Sequence, residues 1–162
     1  PCHACIDNCI HTCAGIQLRA VCDSMMKKQG HEEPVGQAKI TPAFNLPCKF
    51  VLHTVGPIVD RPLTQTDCDL LSSCYTSCLD AAHAHGISSI AFCCISTGVF
   101  RFPQEEAAQI AVAAVKKWKE TKEQTALRPD MTGAATRMKV VFNVFSEKDE
   151  GIYRRILYER SH

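Results

Sequence analysis

The run Cys2-His3-Ala4-Cys5-Ile6-Asp7-Asn8-Cys9-Ile10-His11 places thiols, imidazoles and one carboxylate within a short reach of one another. Soft thiolates beside an imidazole suit zinc, and His3 with Cys5 two positions on can supply two ligands from one loop. So short a stretch rarely completes a tetrahedral shell, so at least one further ligand has to come from elsewhere. Whether Cys2 or Cys9 assists stays open, since adjacent residues such as Cys2 and His3 tend to point apart. The same residues also read as a cysteine-rich turn whose thiols simply pack. Asp7 carries two readings as well, a helix N-cap or a carboxylate set beside the metal ligands.

A second segment, Ile95-Ser96-Thr97-Gly98-Val99-Phe100-Arg101-Phe102-Pro103, lies between a buried apolar run and a helix start. Ser96 and Thr97 offer hydroxyl donors, Gly98 lets the backbone approach a ligand, and the following helix N-terminus favours an anion. A diphosphate suits that equipment. An ordinary Ser/Thr/Gly turn has the same composition. No Gly-Lys-Ser/Thr follows, so the segment is not a Walker A loop.

These segments need elements to hold them. From Ile6 to Gly30, the apolar residues Ile6, Ile10, Ala14, Leu18, Val21 and Met25 recur at helical spacing, which predicts one helix started by Asp7 or Asn8 and ended by Gly30. Strands are predicted over 36–44 and 48–55, divided by Asn45-Leu46-Pro47 and closed by Gly56-Pro57. A helix from Thr64 to His85 follows, then a nearly continuous apolar run from Ser89 to Ile95, the pattern of a parallel strand buried on both faces. Pro103 starts a helix reaching about Thr121, with Glu105 and Glu106 suited to its dipole. Residues 122–137 read as an exposed loop, 138–145 as a strand ending in Phe145 and Ser146 on the ligand side, and Glu147 to about Arg160 as a last helix. Alternating strands and helices imply an α/β layered fold with a largely parallel sheet. Ligands of such sheets bind beyond the carboxyl ends of strands, which is where both segments fall.

The bulk numbers narrow the function classes. A chain of 162 residues with 46% hydrophobic content supports one sizeable core and one domain. Seventeen acidic residues nearly cancel 18 basic ones, which argues against a dedicated nucleic-acid surface and against a polybasic membrane anchor. No apolar run reaches the roughly 18 residues of a membrane span. Eleven cysteines would suit a disulfide scaffold, but Cys13, Cys22, Cys74, Cys78, Cys93 and Cys94 fall within apolar patterns where reduced thiols pack, so a reducing, cytoplasmic setting is expected. The chain begins at Pro1 without methionine or a signal-peptide core. His53, His83 and His85 read as strand or helix residues rather than ligands, and Trp118 as a packing residue.

Three stretches together resemble the macrodomain family. Ile95 to Pro103 is similar to its second ligand loop, Val51-Leu52-His53-Thr54-Val55-Gly56-Pro57 to its central strand and exit turn, and Cys5 to His11 with Ala14-Gly15 to its first ligand loop. The likeness continues through 142–157. Where common members carry glycines, Pro1-Cys2-His3-Ala4-Cys5 resembles the zinc-containing subset often encoded with a sirtuin-like ADP-ribosyltransferase.

The resemblance implies a three-layer α/β/α fold around a central mixed, largely parallel sheet, with residues 1–162 forming one domain whose first strands, a further zinc-ligating cysteine and an Asn-Ala-Ala-Asn segment precede Pro1. It implies a zinc cofactor held by His3 and Cys5, and ADP-ribose bound by Cys5, Ile6, Asp7, Asn8, Ser96, Thr97, Gly98, Val99 and Phe100. The backbone of Ser96 to Phe100 would take the diphosphate, Phe100 would cover the distal ribose, and Asp7 would be the catalytic residue. The implied reaction is removal of mono-ADP-ribose from acidic residues of a mono-ADP-ribosylated protein. A reader that binds the same ligand without cleaving it, its zinc merely structural, is the alternative.

Overall fold

The computed structural model describes residues 5–126 and 138–158. A glycine divides its first helical stretch. Helix α1 (Ile6–Ala14) stops at Gly15, whose φ of 92° and ψ of 175° lie outside helical space, and α2 (Ile16–Gln29) starts directly beyond it. The single helix expected from Ile6 to Gly30 is therefore two. The apolar period runs on because the two helices abut; only the backbone freedom of Gly15 marks the join. Gly30, left-handed at φ 76°, caps α2 by donating its N–H to the Met26 carbonyl.

Strands β1 (Ala38–Pro42) and β2 (Phe50–Thr54) pair antiparallel, from Ala38 opposite Thr54 to Pro42 opposite Phe50. Alternation gives this hairpin two unlike faces. Val51 joins Ala14, Leu18 and Ala43 in a small core against α1 and α2, while Ala38 and Leu52 pack on the larger core. The Asn45 N–H donates to the Ala14 carbonyl, tying the hairpin loop to the end of α1.

Helix α3 (Gln65–Ala84) begins with a capping box: the Thr64 side chain accepts from the Asp67 N–H, and the Asp67 carboxylate accepts from the Thr64 N–H. Its buried face, Leu71, Cys74, Tyr75, Cys78, Leu79 and Ala82, is the centre of the larger core. Strand β3 (Ser89–Phe92) pairs parallel with β4 (Lys139–Phe142), and helices α4 (Gln104–Ala126) and α5 (Glu147–Tyr158) close over them. Within β3 only Ile90 and Phe92 are buried; Ala91 is exposed, so among the described residues this strand buries one face rather than the two expected. Helix α4 runs past the expected end near Thr121 to Ala126, and residues 127–137 of the anticipated loop lie outside the described residues.

The architecture is α/β and mixed, with one antiparallel and one parallel pair of strands among the described residues. Trp118 is buried in the core, its indole N–H donating to Asp80 at 2.8 Å, as suits a packing residue. Cys74 and Cys78 are buried and Cys22, Cys93 and Cys94 partly so, but Cys13 is exposed. Among the described residues no helix is long and apolar enough to cross a membrane.

Candidate functional site

Asp7 lies in the first turn of α1, not at its cap: the N-cap is Cys5, whose side chain makes no capping hydrogen bond. A carboxylate in this position meets the positive end of the helix dipole. The Asp7 side chain is 68% exposed, and one turn on its Oδ1 faces His11 Nε2 at 3.6 Å; the His11 side chain is 8% exposed. His11 was not among the residues singled out by type and spacing. The signal was available, because an acid four residues ahead of a histidine on a helix brings the two side chains together.

Behind His11 stands a second imidazole that sequence reasoning set aside as a strand residue. The His53 ring, carried by β2, lies 6.3 Å from that of His11, and its Nε2 is hydrogen bonded to Thr41 Oγ1 at 2.9 Å. Burial, and then the neighbouring His11, push the His53 pKa below the ordinary histidine value of 6.5, against a smaller opposing pull from Asp7. Cys5 and Asn8 are partly buried, and Ile6 is exposed. His3 lies outside the described residues.

The second segment follows β3 with a strained backbone. Ser96 and Arg101 have positive φ, 65° and 59°, conformations that non-glycine residues adopt rarely and most often where a loop is shaped for function. Its hydroxyls do not serve as expected. Thr97 Oγ1 donates to the Cys94 carbonyl at 3.0 Å, and Ser96 Oγ is buried without a partner among the described residues, turned towards Gly56. What the loop leaves unpaired among the described residues is backbone. The N–H groups of Gly98, Val99 and Phe100 donate no hydrogen bond among the described residues, and a Cβ on Gly98 would meet nothing within 4 Å. Successive free amides can bind an anion where the backbone turns them to one point. Val99 is exposed and Phe100 partly buried. On the loop's α4 side, Thr97 and Arg101 border a cleft of about 470 Å³ together with Glu105 and Lys148.

The exit of β2 joins the two segments. His53 touches α1, while three residues on Gly56 abuts Ser96, and the Val59 N–H donates to the Phe100 carbonyl at 2.8 Å. Behind the loop, burial raises the thiol pKa values of Cys93 and Cys94, the latter to about 11, which keeps both protonated and poor nucleophiles. Phe145 is fully exposed past the end of β4, and Ser146 accepts from the Asp149 N–H at the start of α5.

The Macro domain family profile matches residues 2–111. A Treponema medium protein named Protein-ADP-ribose hydrolase is 63% identical over 157 residues, spanning 97% of this chain and 56% of its own length. A Staphylococcus aureus (strain MSSA476) protein of the same name is 49% identical over 154 residues, spanning 94% of this chain and 53% of its own. The chain thus spans about half the length of these relatives. Among solved structures, an Oceanobacillus iheyensis macrodomain with ADP superposes with a TM-score of 0.80 at 32% identity, covering 97% of this chain and 76% of that one.

Proposed function

The chain belongs to the Macro domain family, and from that premise we propose that it is a hydrolase that removes mono-ADP-ribose from modified acidic residues of proteins. One observation carries this reading beyond binding. Asp7 stands exposed at the start of α1 with His11 3.6 Å behind it, a carboxylate presented to solvent beside a sheltered imidazole. The names of the relatives and the ADP held by the O. iheyensis macrodomain support the choice of ligand.

The diphosphate takes the free amides of Gly98, Val99 and Phe100, where charge-assisted hydrogen bonds are strongest. Phe100 covers the distal ribose, which sets the anomeric carbon towards Asp7, with Cys5, Ile6 and Asn8 forming the wall around it. Asp7 orients and deprotonates the attacking water, and His11 keeps its carboxylate aimed. Water adds across the ester: its oxygen and one proton complete the free ADP-ribose, and the other proton leaves with the acidic side chain.

We infer a zinc cofactor from the chemistry of His3 and Cys5, two donors suited to zinc in one loop; among the described residues no group of three or more His, Cys, Asp or Glu is placed to hold a metal. The Cys5 thiol makes no capping bond and is free to ligate, with His3 ahead of it. A zinc ion held by His3 and Cys5 would supply Lewis-acid chemistry and a more acidic water. We place the protein in a reducing, cytoplasmic setting, with a sirtuin-like ADP-ribosyltransferase as the source of its substrate. The test is to mix full-length protein with a mono-ADP-ribosylated substrate and follow release by mass spectrometry. Release of ADP-ribose with recovery of an unmodified carboxylate is expected; stoichiometric binding without release would instead make the protein a reader.

A further inference from the structure

The row of polar side chains behind Asp7 continues further than the proposed reaction uses. Across the hairpin Thr41 pairs with Val51 and Lys39 with His53, so Thr41 and His53 sit diagonally on one face, joined by the 2.9 Å hydrogen bond. That face meets α1. Thr41 is 2% exposed, so its hydroxyl has the fixed surroundings of the core. His11, next in the row, has a buried Nδ1 with no partner among the described residues, and its Nε2 is turned to Asp7. Among the described residues no hydrogen bond through Nδ1 orients the His11 ring. What lies against it is the His53 ring, tilted by 41°, whose own orientation Thr41 sets.

We propose that His53 is a positioning residue for the hydrolysis, anchored by Thr41 and acting through the His11 ring to keep the Asp7 carboxylate in its working orientation. The inference rests on the hydrolase reading for its catalytic consequence, but the contact itself does not. Neutral His53 packs against His11 without repulsion, and burial favours that neutral form. Among the described residues, the charged and titratable groups near it are His11 and Asp7 from α1, Lys39 opposite on β1, itself engaged by Glu33, and Cys22 of α2, which packs on the same small core. Protonating His53 at acid pH would place a charge beside His11 and loosen the row.

The experiment uses the full-length protein with Thr41→Val, which keeps the shape of the side chain and removes the hydroxyl, Thr41→Ser, which keeps the hydroxyl, and His53→Phe, which keeps a ring. Expected for Thr41→Val is a roughly tenfold lower kcat at unchanged KM, a modest displacement of a reacting group having that scale of effect. Thr41→Ser should restore the wild-type rate, and His53→Phe should change the acid limb of the pH profile. Two-dimensional NMR of the His11 Cε1–H resonance gives a second reading that needs no turnover, and it should move in Thr41→Val and return in Thr41→Ser. Wild-type kcat and pH profile in folded Thr41→Val and His53→Phe would overturn the proposal. If the wild-type protein itself releases no ADP-ribose, the hydrolase reading fails separately. In that event an unmoved His11 resonance overturns the contact and a moved one upholds it.

Discussion

Gly56 and Ser96 meet so closely that a Cβ on Gly56 would lie 2.1 Å from Ser96 Oγ and 2.8 Å from Ile95 Cγ2. Ser96 has a left-handed backbone, and its hydroxyl is turned into this contact. Since β2 leads into Gly56 and also carries His53, the loop proposed to take the diphosphate and the Asp7 helix are referred to one strand.

Gly56→Ala should therefore act on both stability and ligand binding. Overpacking of this kind costs about 1–3 kcal/mol. The expected result is a lower melting temperature together with weaker ADP-ribose binding by calorimetry, because relief of the clash has to move Ser96 and the loop behind it. A variant that melts like wild type and binds as tightly would mean the loop is not held by Gly56.

A pH series separates two electrostatic contributions to stability. The Arg61 guanidinium, and then Thr64, hold the Asp67 carboxyl well below the usual carboxylate range. A group depressed on folding stabilises the protein above its unfolded pKa, here about 3.8, and that contribution is lost as pH falls towards the folded value. Asp67→Asn should lower the melting temperature at pH 7, and the gap to wild type should narrow below about pH 4. His53, also depressed, has the same sign at higher pH: its contribution is present above about 6.5 and fades as acid charges the buried ring. His53→Gln should remove the part of the acid destabilisation that begins there, read from thermal melts between pH 7 and pH 5.

Much of this was legible in the sequence, because local rules set it. The Thr64-to-His85 helix has a cap at one end and a glycine just past the other, and the loop from Ile95 to Pro103 stands out as polar residues between a strand and a proline. The remainder depends on contacts distant in sequence. The break at Gly15 is invisible to periodicity, and its positive φ is matched to Asn45, whose Nδ2 would lie 2.8 Å from a Cβ there. His53 joins the site only because the hairpin face that carries it lies on α1, and alternation within β2 does not reveal what covers that face. The Ser96 hydroxyl looked like a ligand donor by type, but its backbone conformation turns it inward.

At Gly98 the test addresses binding alone. The residue has open space around it and nothing in the protein's packing demands a glycine, so a larger side chain there should be tolerated by the fold. Gly98→Glu would set a carboxylate among the free amides and oppose the diphosphate. Near-complete loss of ADP-ribose binding by calorimetry, with an unchanged melting temperature, is expected. Unchanged affinity would remove the loop from the site.

Catalysis and binding separate at the other end of the ligand. Asp7 is proposed to act at the anomeric carbon, remote from the diphosphate and adenine that dominate affinity, so its loss should cost rate more than binding. Asp7→Ala should lower turnover roughly a hundred- to ten-thousand-fold, the range for a positioned acid–base group, while free ADP-ribose still binds. If His3 and Cys5 hold zinc, His3→Ala should reduce bound metal by elemental analysis and lower turnover, and a chelator should reproduce both effects, since metal affinity depends on the ligands acting together. The two variants then diverge in a useful way: Asp7→Ala should keep its zinc and His3→Ala should not. Protein stripped of metal, confirmed as such, that still cleaved the modified substrate at the wild-type rate would reduce zinc to a structural staple. Asp7 with His11 at 3.6 Å would then have to account for the chemistry alone, and the Asp7→Ala rate becomes the deciding measurement.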